Sequence, residues 1–171
     1  MKKIMILSGV IAMALASQAA QFRWAFTASK SAAAAYDGAA VYMVLAADYD
    51  SSKQLSLADI TSMKKSEGTL TVGSMSASTG NITVKDSWVT AGTDYEWYAI
   101  VVSGDNYYVS SSSKTSTAVA DTATPSSVTF ASQTEMATAS NWHTLAAVPE
   151  PTSGLLLLLG VAGLALKRRR A

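Results

Sequence analysis

The sequence contains no cysteine. This absence excludes disulfide bonds, thiolate metal sites and a lipid-acylated N-terminal cysteine, so any exported domain must be held together by its hydrophobic core. Histidine is almost as scarce, because His143 is the one copy. No GxSxG, HExxH, Walker A or GxGxxG pattern accompanies it. We therefore expect a protein that is not an enzyme and carries no cofactor, with His143 exposed to solvent.

Long hydrophobic runs are also missing, but two short ones lie near the ends of the chain. The first, at 4–16, follows Lys2 and Lys3 and precedes Ser17-Gln18-Ala19, which places small residues where a signal peptidase needs them. The sequence predicts a signal peptide at 1–19 with cleavage between Ala19 and Ala20. The alternative is an uncleaved anchor, although a run of 13 residues is shorter than the ~20 that span a bilayer.

The second apolar run, at 155–166, lies between a rigid motif and a cluster of cations. The motif is Val148, Pro149, Glu150 and Pro151, and because proline restricts the residue before it, a helix can begin only after this motif. The cluster is Lys167, Arg168, Arg169 and Arg170, which we expect to stay on the cytoplasmic side of a membrane. The pattern predicts a transmembrane helix at 153–166 within a tail at 148–171.

This order of motif, apolar helix and basic cluster resembles the PEP-CTERM sorting tail of Gram-negative bacteria. The resemblance implies that an exosortase, an intramembrane processing enzyme, recognises the tail and cuts near Pro149-Glu150-Pro151. It also implies an inner-membrane intermediate, a final place at the cell surface or outside the cell, and an association with extracellular polysaccharide. The alternative is an ordinary single-pass anchor. The resemblance covers only the tail and carries no information about the preceding domain.

The net charge of +1 hides an uneven distribution. Six of the 13 basic residues lie in the two terminal segments, whereas all 12 acidic residues lie between Asp37 and Glu150. The domain between the segments is therefore mildly acidic. Because nucleic-acid binding requires a basic face, we expect no nucleic-acid partner.

A mainly β domain is predicted at 20–130, followed by a linker at 131–147. Short strands bounded by glycine-rich turns favour an antiparallel β-sandwich or an α+β roll. One helix is predicted at 57–65, where Ser56 and Asp59 have the spacing of a capping box. The Ser/Thr tract at 110–117 suits either a polar edge strand or a loop. The predicted strands cover 22–28, 41–46, 69–72, 82–84, 88–90, 95–102, 107–110 and 127–130.

Two candidate binding sites remain, and each has a simpler structural alternative. Asp48, Asp50, Ser52 and Asp59 have the spacing of a calcium-binding loop, but Lys53 stands where glycine makes the turn, so a polar turn before a capped helix is the alternative. Aromatic residues around the central hairpin suit a glycan-binding face, with core packing as the alternative. The rings proposed for the glycan are Trp97, Tyr107 and Tyr108.

The sequence therefore predicts an exported surface or matrix protein with a structural or interaction role. A carbohydrate-binding or adhesive module is the second hypothesis, and a glycan hydrolase built on paired carboxylates is the third.

Overall fold

The computed structural model describes residues 20–132 and 134–147. The predicted signal peptide at 1–19 and the predicted transmembrane helix at 153–166 lie outside these residues. Within the described residues, no helix is long and apolar enough to cross a membrane.

Twelve strands and two α-helices make up the described part of the chain. The strands are β1 (Ala20–Ser29), β2 (Ala40–Leu45), β3 (Lys64–Thr69), β4 (Thr71–Val72), β5 (Ser76–Ser78), β6 (Ile82–Asp86), β7 (Asp94–Ser103), β8 (Asn106–Val109), β9 (Lys114–Thr117), β10 (Val119–Ala120), β11 (Ser127–Ser132) and β12 (Trp142–Thr144). The α-helices are α1 (Lys30–Ala33) and α2 (Leu57–Met63), and short 3₁₀ helices cover Ala34–Tyr36, Ala46–Asp48, Glu135–Ala137 and Ala139–Asn141.

One sheet, here called the β1 sheet, is built around its first strand. On one side β1 pairs antiparallel with β6 and then β5, and β4 lies beyond β5. On the other side it pairs antiparallel with β10 and parallel with β11. Phe22, Trp24 and Phe26 alternate along β1 and therefore share one face of the strand, and all three are completely buried.

The second sheet, here called the β7 sheet, has the order β12-β8-β7-β2-β3, with β9 beside the first half of β7. The hairpin from β7 to β8 turns through Gly104 and Asp105. Gly104 has a φ of 56°, in the left-handed region that favours glycine at this position of a two-residue turn. The predicted hairpin is confirmed.

The β7 sheet is covered on both faces, which makes the domain three layers thick. Alternate residues of β2 divide between the layers: Val41 and Met43 pack toward the β1 sheet, whereas Tyr42 and Val44 pack with Ile60 of α2. The burial of both faces of β2 explains why its sequence is almost continuously apolar.

The predicted fold class is confirmed in its main feature: the domain is mainly β, with two largely antiparallel sheets and α2 as the predicted short helix. The parallel pairing of β11 with β1 was not expected. The capping box is also present, because the Ser56 and Asp59 side chains each accept a hydrogen bond from the backbone N–H of the other residue.

One helix boundary and one strand are among the features that were predicted wrongly. The helix expected at 57–65 ends at Met63, because Lys64 already pairs with Val44 in the β7 sheet. The strand expected at 88–90 is a turn and an irregular segment, in which the Val89 N–H donates to the Asp86 carbonyl. Val89 is nevertheless buried, so its apolar side chain reflects core packing rather than a strand.

The structure also differs from the linker expected at 131–147. β11 continues to Ser132, Met136 is completely buried, and β12 adds an edge strand to the β7 sheet. The Ser/Thr tract combines both predicted alternatives, since an irregular segment leads into the edge strand β9.

Candidate functional site

The three rings proposed for glycan binding are all buried, so the predicted glycan site at Trp97, Tyr107 and Tyr108 is corrected. Their polar atoms hold the fold together instead. Trp97 Nε1 donates to Ser116 Oγ at 2.7 Å, and the Tyr108 hydroxyl donates to the Glu135 carboxylate at 2.6 Å. The Tyr107 hydroxyl accepts from the Leu55 N–H at 3.2 Å. Core packing, the alternative explanation, accounts for these residues.

The carboxylates of the calcium candidate bind groups of the protein itself. Asp48 pairs with Lys65 at 3.1 Å, while Asp50 accepts from the backbone and hydroxyl groups of Ser52 at 2.9 and 2.7 Å. Asp59 pairs with Lys53 at 2.7 Å. Within the described ranges, no three acidic, histidine or cysteine side chains are grouped to hold a metal. The loop has the geometry of its alternative, a polar turn that leads into a capped helix.

The pKa of Asp59 is held well below its ordinary value by the ammonium group of Lys53 and then by hydrogen bonds from Ser56. The Asp50 pKa is also lowered, mainly because Ser52 donates to it. Hydrogen bonds and a nearby cation favour the ionised carboxylate. These acidic groups therefore stabilise the turn and the start of α2.

The C-terminal end of the domain holds a stacked pair of half-buried aromatic rings. The ring of Trp142 stacks on Tyr36, with centroids 4.2 Å apart, and Trp142 Nε1 donates to the Met136 carbonyl at 2.8 Å. His143 is exposed, as predicted, but it lies in β12 rather than in a linker, 5.2 Å from the Tyr107 ring.

Two open grooves flank Trp142. One, of about 390 Å³, is lined by Tyr36, Ser103, Asn106 and Ala139. The other, of about 470 Å³, lies toward the turn before α2, and neither groove is lined by a carboxylate. The second groove is lined, besides Trp142, by Tyr49, Ser51, Ser52, Lys53, Gln54, Tyr107, His143 and Thr144. The pairing of Tyr36 with Trp142 was not predicted, because no local sequence pattern links the two rings.

The chain stays attached to the domain beyond β12. The Leu145 N–H donates to the Asp105 carbonyl and the Ala146 N–H donates to the Leu55 carbonyl, both at 2.8 Å. The Gln54 side chain donates to the Thr144 carbonyl at the same distance. Leu145 also packs against the cluster between the β7 sheet and α2. The folded domain therefore extends to residue 146.

The predicted processing sites adjoin the two ends of this domain. Ala20, on one side of the expected signal-peptidase bond, is completely buried at the start of β1, whereas Ala19 lies outside the described residues. The residues of the sorting motif and its basic cluster also lie outside them. These are Val148, Pro149, Glu150, Pro151, Lys167, Arg168, Arg169 and Arg170.

Comparison with protein families gives one match: the PEP-CTERM protein-sorting motif matches residues 147–170. No curated protein and no solved structure matches the chain. The motif indicates export in a Gram-negative bacterium, sorting at the membrane toward the cell surface, and processing by exosortase-type machinery. By this tail, the chain is a PEP-CTERM domain-containing protein.

Proposed function

We propose that this chain is a cell-surface or extracellular-matrix protein whose β domain has a structural or interaction role. The observation that carries the proposal is the sorting motif at 147–170, which directly follows the folded domain. Signal peptidase would release the N-terminal segment at Ala19-Ala20, and an exosortase-type enzyme would cut near Pro149-Glu150-Pro151. The inner membrane is then a transient partner.

The composition of the tail supports a temporary membrane anchor. The apolar run at 155–166 would form a helix of roughly 18 Å, shorter than the ~30 Å hydrocarbon core of a bilayer. Such a helix is a marginal permanent anchor unless the flanking residues extend it. The basic cluster keeps the C-terminal end in the cytoplasm while the enzyme acts.

The domain itself is suited to a place outside the cell. It has no cysteine, and it holds together through a core shared by two sheets. Within 20–132 and 134–147, every buried side-chain nitrogen and oxygen has a hydrogen-bond partner. A domain with a fully paired interior can remain folded without disulfides or a bound group.

Intact-mass spectrometry of the protein recovered from its native host tests this function. We expect a mass that lacks residues 1–19 and the tail, and a location at the surface or in the medium. A variant with alanine at Pro149, Glu150 and Pro151 should keep the tail and stay with the membrane. Thr138→Ala, an exposed change inside the domain, is the matched control. Untrimmed wild-type protein in the cytosol would contradict the proposal.

A carbohydrate-binding or adhesive role is the second candidate, and extracellular polysaccharide is its expected ligand. It is supported by the half-buried pair of Tyr36 and Trp142, which stands beside two grooves lined by hydroxyl and amide groups. Aromatic rings with one apolar face and nearby polar groups suit a sugar ring. Since neither groove beside Trp142 offers a carboxylate pair, we do not extend the proposal to a hydrolase.

Binding to polysaccharide from the native host tests this second role. Tyr36→Leu should weaken retention on the immobilised polysaccharide without unfolding the domain. Tyr95→Leu is the matched control. Tyr95 is also a half-buried tyrosine, but it lies at the start of β7, at the end of the strand that does not pair with β8. Equal retention of wild type and Tyr36→Leu would count against a binding site at Trp142.

A further inference from the structure

We propose that residues 143–147 form a detachable strap, and that the tail is processed only when this strap leaves the domain. This inference rests on the proposed function, because it concerns how the processing enzyme reaches the sorting motif. The strap is the last part of the segment at 131–147 that sequence analysis assigned to a linker. In the structure it is docked on the domain and shortens the connection to the motif.

The first reason for this proposal is the short length of chain between the docked strap and the sorting motif. The last backbone hydrogen bond of the domain is donated by Ala146, and the sorting motif begins at residue 147. From Ala146 to Pro149 the chain spans at most roughly 10 Å even when it is fully extended. An enzyme that encloses Pro149-Glu150-Pro151 would therefore meet the folded domain while the strap is docked.

Few contacts hold the strap, and one of them is the hydrogen bond from the Gln54 side chain to the Thr144 carbonyl. The strap pairs with β8 through His143 and Thr144, and its next two N–H groups bind the carbonyls of Asp105 and Leu55. His143, Thr144 and Ala147 are exposed, so Leu145 is the main apolar contact with the domain. Segments with few buried contacts and exposed hydrogen bonds open at the lowest cost in free energy.

Trp142 marks where release would stop. Its ring is stacked on Tyr36, and its Nε1 is bonded to the Met136 carbonyl, so it is held more firmly than the residues that follow. Freeing 143–146 alone would add four residues to the tether, or roughly 13 Å of reach. That addition more than doubles the reach between the last docked residue and Pro149.

The absence of cysteine from the chain allows the strap to be pinned by one engineered disulfide. Thr144 and Asn106 are directly paired across β12 and β8, and their side chains point toward each other, with Oγ1 and Oδ1 3.4 Å apart. Paired positions of antiparallel strands have the separation that a disulfide needs. The test variant is therefore the full-length precursor with Thr144→Cys and Asn106→Cys.

Cleavage of this precursor is followed in membranes of the native host, with and without dithiothreitol. We expect the oxidised form to be cut at least ~10-fold more slowly than the reduced form, because only the open state reaches the enzyme. The control is the pair Asp94→Cys and Thr117→Cys, which links β7 and β9 at the other end of the sheet. Its cleavage should not respond to the reductant.

A second variant separates reach from an effect of the disulfide itself. A flexible Gly-Ser insertion of about six residues after Ala147 spans roughly 13 Å, similar to the length that release would supply. It should restore cleavage of the oxidised Thr144→Cys/Asn106→Cys precursor. Equal cleavage of oxidised and reduced forms, or no rescue by the insertion, would overturn the strap. If the wild-type precursor is not cut under either condition, the proposed processing is itself wrong, and the proposal of a strap is then wrong as well.

Discussion

The two ends of the domain are held in opposite ways. At the N-terminal end, β1 lies in the middle of its sheet with partners on both sides, and the buried Gln21 side chain donates to the carbonyls of Asp121 and Ala123. At the C-terminal end, β12 is an edge strand with β8 as its partner. A strand in the middle of a sheet cannot leave without opening the core, whereas an edge strand can. The fold thus fixes the end that follows the predicted signal peptide, whereas the end before the sorting motif is held by one edge strand, as the proposed release requires.

Two tryptophans make this comparison measurable. Trp24 of β1 is completely buried and its Nε1 donates to Ser66 Oγ at 2.9 Å. Trp142 of β12 is half-buried and donates to a backbone carbonyl at a similar distance. The hydrogen bonds match, so the difference between the two rings lies in their burial.

The largest expected effect is that of Trp24→Ala. Removing a fully buried tryptophan leaves a cavity in the core between the sheets, and we expect a loss of about 3–5 kcal/mol in the free energy of unfolding. Urea denaturation followed by circular dichroism measures it. A loss below about 1 kcal/mol would show that β1 is not the centre of the core.

Trp142→Ala should cost less, about 1–2 kcal/mol, because the ring is only half-buried. Hydrogen exchange should also become faster in β12 while the amides of β1 remain protected. If both tryptophan variants lose equal stability, or if exchange rises equally in the two strands, the proposed difference between the ends is wrong.

Tyr108→Phe tests how the segment before β12 is held. The Tyr108 hydroxyl donates to Glu135, which also accepts from Ser111 at 3.0 Å. Because a hydrogen bond to a carboxylate is lost while the ring stays in the core, we expect about 1 kcal/mol of destabilisation. Exchange should rise around Glu135–Ala137, and the change in unfolding free energy is measured by urea denaturation. An unchanged urea midpoint would show that this hydrogen bond does not stabilise the domain.

The smallest expected effect concerns α2, whose N-cap Ser56 directly follows Leu55, the residue whose carbonyl accepts from the Ala146 N–H. Ser56→Ala removes the N-cap and should cost about 1 kcal/mol or slightly less.

Since the folded-state pKa of Asp59 is lowered, the stability that its carboxylate contributes is present above the ordinary pKa of ~3.9 and is lost as pH falls below it. Asp59→Asn should flatten this acid dependence. A wild-type unfolding midpoint that matches that of Asp59→Asn at both pH 7 and pH 3 would contradict it.

Local sequence signals predicted the elements that depend least on contacts with distant parts of the chain. The alternation of β1, the glycine turn between β7 and β8, and the capping box of α2 were all recognisable, because each depends on residues close together in the chain. β3 was missed in part, because Lys64 and Lys65 suit a helix end as well as a strand. Pairing with β2 decided between the two.

Burial of the aromatic residues could not be predicted in the same way. Tyr107 and Tyr108 point to opposite faces of β8, and an isolated hairpin would expose one of them. Both are buried because the β1 sheet covers one face and the segment before α2 covers the other. The sequence therefore suggested a glycan-binding face where the structure has core.

The sequence by itself determined the sorting of this protein, because its tail is a continuous segment whose proline motif, apolar run and basic cluster act through their order along the chain. Only the tertiary structure decided that no free linker separates the domain from that tail. The contact between Gln54 and Thr144 joins residues 90 positions apart, and such pairings depend on how the sheets assemble. The docking of the last strand is thus a property of the folded sheet and not of its own few residues.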